Sequence, residues 1–164
     1  MAHNKPIVSL NAIVEAFKIQ DSESVSYINV KSGDVEIVFE DFLMSPESDE
    51  VDAMMPEWQK EEINRCQSIV SGADWIELPT QFEINEYQIM RAFADNRKDT
   101  NESQKLHAAL SGGKAFRRFK DTAFDIGVID DWYKFKEEVL ADIARVWCKD
   151  NGFEMEPYGG LRPP

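Results

Sequence analysis

Four cations crowd the segment GGKAFRRFKD: Lys114, Arg117, Arg118 and Lys120. Two glycines precede them, and Phe116, Phe119, Ala123 and Phe124 run through and beyond them at helical spacing. A helix that starts after Gly113 presents unpaired N–H groups and the positive end of its dipole. Acidic side chains are favoured there, and a cation in the first turn is disfavoured by roughly 0.3–1 kcal/mol. An anion held at the helix start would turn each of those repulsions into an attraction. The residue types therefore describe a basic site of Lys114, Arg118, Arg117 and Lys120. Its ligand would be a small anion or an acidic segment of a protein partner. Trp132 and Tyr133 read most economically as core or rim aromatics; as members of the candidate site they are rings able to stack on its arginines.

A competing reading makes the same cluster a structural charge network. Arg117 then pairs with Asp121 one turn later, and Arg118 reaches a carboxylate of the acidic stretch 34–62. Neighbouring helical positions point in different directions, so the two arginines cannot both face Lys114. Arg118, one turn on from Lys114, is assigned to the site and Arg117 to the local ion pair. Under either reading Phe116 and Phe119 belong to the core.

Other chemistry is sparse. The pattern G-x-x-x-x-G-K-[ST] lacks its first glycine, and Ala115 stands where a phosphate-binding loop needs a hydroxyl. His3 lies at the chain start, and His107 follows Ser103 by one helical turn, a spacing that does not aim Oγ for attack. Glu47, Asp49, Glu50 and Asp52 lack the central glycine and distal glutamate of a calcium loop. Cys66 and Cys148 show no C-x-x-C spacing, which argues against a zinc site or a disulfide framework and for free thiols in a reducing cytoplasm. No metal, no cofactor and no catalytic constellation is expected, and an enzyme ranks third among the functions considered.

Charge sorts the remaining classes. The chain has 164 residues and a formal net charge of -13, distributed unevenly. Residues 34–62 hold eleven Asp or Glu against a lone lysine, whereas residues 103–120 hold five Lys or Arg and no acid. An acidic chain repels nucleic acid at long range, so nucleic-acid binding is disfavoured. The dense carboxylates of 34–62 support an alternative, a regulator that imitates a phosphate backbone. No stretch approaches the about 20 apolar residues of a membrane span, and MAHNKPIVSL lacks the apolar run of a signal peptide.

The elements that must position these residues follow from periodicity. IVSLNAIVEAFKI predicts an amphipathic helix over 7–19. SVSYINV and DVEIVFEDF, joined through Lys31-Ser32-Gly33-Asp34, predict a hairpin, and WIELP at 75–79 a third strand. SPESDEVDAMM at 45–55 predicts a solvated acidic loop. Pro56 opens a helix that Gly72 ends. From residue 83 the pattern is helical: a helix from Ile84 to Phe93, one capped by Asn101 with Gln104, one over 115–125, and a long last helix started by Asp130 or Asp131. The fold expected is α+β, a small N-terminal antiparallel sheet packed against a mostly helical C-terminal half. A single domain spans 1–164, with parts 7–79 and 83–152 and an irregular tail over 153–164.

GGKAFRRFKD followed by IDDWYKF resembles a small bacterial family of no assigned function, with a G-x-G-A-F-R-R-F-K-D type signature and a later W-Y-x-F. SYINVKSGDVEIV and ELPTQFEINEYQIMRAF are similar to its upstream hairpin and middle helix, so the likeness covers roughly 10–153. That signature has glycine where Lys114 stands, and the insert 45–55 has no counterpart in it. The resemblance implies a shared fold and no activity. The function expected is a non-enzymatic, cytoplasmic binding module.

Overall fold

A computed structural model describes residues 6–43 and 53–158. The strands lie mostly in the N-terminal half and the C-terminal half is helical, so the class is α+β. The chain divides into two compact units. One takes the chain up to Glu83 and regains it over Ala144–Tyr158; the other is built on Ile84–Ile143. The acidic loop expected over 45–55 falls largely outside the described residues.

In the first unit Ser9 caps helix α1 (Leu10–Ile19) by accepting the Ala12 N–H at 3.2 Å. The helix was expected from residue 7; the cap delays it, and Ile7–Val8 forms strand β1 instead. Strands β2 (Ser24–Asn29) and β3 (Val35–Phe39) pair antiparallel with Ser26 opposite Ile37. Their turn needs a left-handed residue, which Gly33 supplies at φ 79°, while Asn29 Oδ1 accepts the Lys31 and Ser32 N–H groups. Strand β4 (Trp75–Glu77) joins the other side of β2, giving the order β3-β2-β4. Helix α2 (Glu57–Ser71) follows Pro56 and buries Ile63, Cys66 and Ile69. Cys66 and Ile69 pack on Val38, with Tyr27, Phe42, Leu43 and Trp75 around them. The tail from 153 was expected to be irregular. Its first residues form strand β5 (Glu154–Met155), parallel to β1, and Glu156 N–H donates to the Val8 carbonyl at 2.9 Å. Phe153 is buried and stacks on Trp147 with ring centroids 5.6 Å apart, and that apolar anchor holds the polar tail in place.

A short turn, α3 (Gln81–Ile84), precedes the second unit. Asn85 adopts φ 55°, breaks the expected continuous helix there, and restarts it as α4 (Glu86–Asp95) by accepting the Gln88 N–H. Helix α5 (Thr100–Ala109) is capped by Asp99, whose carboxylate accepts the Glu102 N–H, two residues before the expected Asn101. Helix α6 (Ala115–Asp125) and the long α7 (Ile129–Asp150) meet at a turn through Gly127 at φ 78°. The core of this unit is aromatic. Phe119 and Trp132 are fully buried and meet edge to face at 5.0 Å, and Phe93 meets both in the same manner.

Candidate functional site

The basic segment begins where α5 ends. The last carbonyls of a helix have no partner within it. Here the Arg118 guanidinium supplies one: Nη1 donates to the Ser111 carbonyl at 2.6 Å and to Gly113 at 3.3 Å, and Nη2 donates to Ala108 at 3.0 Å. The cation also meets the negative end of the α5 dipole. Gly112, at φ 86°, sits beneath it; a Cβ there would lie 3.4 Å from Nη1. Arg118 therefore clamps the end of α5 to the start of α6, and it does so through backbone carbonyls, not the carboxylate that a charge network would use.

Lys114 is the residue before α6 and takes φ 58°, ψ 36°, a left-handed conformation that costs a non-glycine residue roughly 1 kcal/mol. Glycine at this place in the signature that the segment resembles has a physical reason in that angle. No side chain caps α6 and no acid lies in its first turn. Arg117 Nε stands 3.9 Å from Asp121 Oδ2 with both side chains largely exposed, the one-turn pair that the spacing predicts. Among the described residues, Lys105, Lys114 and Lys120 make no ion pair.

The two phenylalanines divide. Phe119 is fully buried, but Phe116 is 43% exposed and Phe124 72%, so the expectation that Phe116 is core is corrected. Phe119 and Ala123, four apart, set the inward direction; Phe116, Lys120 and Phe124 form the next row around the helix. A lysine in the middle of that row marks it in the sequence as a rim. Trp132 is corrected as a site residue and takes the place of a core aromatic. Its ring is sealed between Phe119 and Phe93, with Nε1 lacking a hydrogen-bond partner, so it offers no face to a ligand. Tyr133, the next residue, is half exposed. The six candidate residues thus separate into Lys114 and Arg117 on open surface, Lys120 half-buried beside them, Arg118 turned to the backbone, Trp132 inside, and Tyr133 on α7.

Among the described residues, hollows of two sizes lie within this unit. One, about 560 Å³, runs between α5 and α6, and its lining includes Lys105, Arg118, Asp121 and Asp125. Opposite charges share its walls, so it has no preference for anions. The other, about 220 Å³, includes Arg97, Asp131, Lys134 and Glu138. Arg97 is already committed there, to Glu102 at 3.0 Å and Asp131 at 3.3 Å, with its guanidinium over the Phe93 ring.

His107 is held by a carboxylate and both cysteines are buried. His107 Nε2 lies 2.8 Å from Asp95 Oδ1, and no hydrogen bond joins it to Ser103 among the described residues. Burial pushes the Cys148 thiol up to about 11, and it also raises the buried Cys66, so neither is a ready thiolate. Among the described residues no group of three metal-ligating side chains occurs, and no helix is long and apolar enough to cross a membrane.

A family model matches residues 4–162, nearly the whole chain. The chain belongs to the uncharacterised protein family UPF0158. No curated protein and no solved structure matches it. Membership in UPF0158 carries no reaction with it, so function has to be argued from the surface of α6.

Proposed function

We propose that this UPF0158 member is a cytoplasmic, non-enzymatic binding module whose α6 surface takes an acidic segment of a protein partner. One observation carries the reading. The cations Lys114 and Lys120 have no ion pair among the described residues, and Lys120 stands between two exposed phenylalanines. Unneutralised lysines beside solvated aromatic rings suit a partner that brings both carboxylates and apolar side chains. A small inorganic anion fits less well, because Arg118 spends its donors on three carbonyls. The alternative, a phosphate-mimicking acidic face over 34–62, is weakened where it is described. Arg65 holds both Glu36 and Glu62, at 3.0 Å and 2.6 Å, and neutralises part of that face.

The test is fluorescence anisotropy with a labelled peptide of alternating glutamate and leucine or tryptophan. Wild type should bind it, and Lys114→Glu with Lys120→Glu should weaken binding at least about tenfold. Inorganic sulfate at matched ionic strength should compete poorly. Equal binding by wild type and the double variant would remove α6 as the site.

A further inference from the structure

Two helix faces of this chain differ in the charge they leave unpaired: Lys120 on one, with Asp121 already held by Arg117, and Glu57 and Glu61 on the other, with Lys60 between them in sequence. On α6, Phe116, Lys120 and Phe124 follow one another at four-residue intervals along a single row, with Arg117 beside them. On α2, Glu57, Trp58 and Glu61 share the first two turns and are all exposed, Trp58 at 63%. Glu57 and Glu61 make no ion pair among the described residues, unlike Glu62 one position on. An eight-residue separation sets Phe116 and Phe124 about 12 Å apart along the helix, a gap that one indole fills above the Lys120 ammonium.

We propose that the α6 face docks the Glu57-Trp58-Glu61 face of a second copy of the chain. Trp58 seats between the two phenylalanine rings over Lys120, and Glu57 and Glu61 meet Arg117 and Lys120. The inference rests on the reading of α6 as a surface for acidic segments, and it names the segment. Charge complementarity carries it: Glu57 and Glu61, the unpaired acids of a turn that also holds Lys60, meet Lys120 and an Arg117 that gives up its long, exposed contact to Asp121. The net charge of -13 opposes association at long range. At about 150 mM salt that repulsion is screened beyond about 8 Å, while pairs in contact persist.

Sedimentation equilibrium of the full chain at about 150 mM salt, over a wide concentration range, reads the outcome. Wild type should associate reversibly. Trp58→Ala, Phe124→Ala and Lys120→Glu should each raise the dissociation constant at least about tenfold. All three are surface changes, and circular dichroism checks that each variant stays folded. Lys120→Glu combined with Glu61→Lys in one chain should regain much of the loss, because the pair is restored with its signs exchanged. A wild type that stays monomeric throughout, or association constants that none of these variants changes, would overturn the proposal. If the chain is monomeric and the labelled acidic peptide still binds through Lys120, the second copy is excluded and the surface reading stands. If neither binds, both readings fall.

Discussion

Arg65 in the first unit and Arg118 in the second are the same residue put to different work. Arg65 sits among acids and spends its guanidinium on Glu36, Glu62 and, at 3.3 Å, the Ile37 carbonyl. Arg118 lines a hollow together with Asp121 and Asp125, yet it gives its guanidinium to three carbonyls at a helix end. Where carboxylates are dense, a cation neutralises side chains and the surface loses part of its charge. Where the open carbonyls of a helix end lie within reach, one cation secures the backbone, and Lys105, Lys114 and Lys120 make no ion pair among the described residues. The acidic region is therefore partly self-satisfied, and the basic region is not.

The largest expected effect tests the platform under Arg118. Phe119→Ala removes a fully buried ring from between Phe93 and Trp132 and should cost about 3–5 kcal/mol in chemical denaturation. Phe116→Ala, at a half-open rim, should cost about 1 kcal/mol. Similar losses at both positions would mean that the inward direction of α6 is misassigned.

The next effect separates the two arginines by pH. The Arg65 hydrogen bond holds the Glu62 carboxyl below its usual value, with burial opposing. A lowered folded-state value contributes stability that is present above the unfolded value, about 4.3, and is lost as pH falls through the lowered one. Carbonyls do not titrate. Arg65→Ala should cost about 1–2 kcal/mol near neutrality and progressively less in acid. Arg118→Ala should cost about 1–2 kcal/mol with no such decline, and Arg118→Lys should recover little, because one ammonium cannot span three carbonyls. Parallel acid profiles for the two alanine variants would erase the contrast.

The hairpin, its third strand and the helical C-terminal half were legible because alternation and helical spacing leave a pattern in residue types. The candidate site was only partly legible. Arg117 with Asp121 is local and follows from one-turn spacing. The Arg118 clamp depends on where α5 stops and how the chain turns through Gly112, and a carbonyl acceptor leaves no trace in side-chain types. Which aromatics the core encloses was not legible for a related reason. Trp132 is enclosed by Phe119 and by Phe93, far away in sequence, while Phe116 is left 43% exposed. The β1–β5 pair joins chain ends that share no local signal.

A smaller effect addresses the backbone at the start of the site. Lys114→Gly relieves a left-handed lysine, and after the extra freedom of the unfolded chain is counted the variant should gain about 0.5 kcal/mol. The same change should weaken the acidic peptide. A gain in stability together with a loss of binding is the signature of a residue kept for its charge at some conformational expense. Unchanged peptide binding would show that the glycine at this position of the resembling signature does the same job.

The smallest effect belongs to Arg117. Its pair with Asp121 is long at 3.9 Å, and its two side chains are 80% and 70% exposed, so water and salt screen most of the attraction. Holding two long side chains in one geometry offsets much of what is left, and Arg117→Ala should change stability by no more than about 0.5 kcal/mol. Arg117 is nonetheless free to exchange Asp121 for an incoming carboxylate at little cost. Arg117→Ala should therefore weaken the acidic peptide severalfold while leaving the denaturation midpoint nearly fixed, the reverse of Arg118→Ala, whose loss falls chiefly on the midpoint. If the two variants instead lose stability and binding in equal proportion, the division between a backbone clamp and an open basic surface does not hold in the second unit.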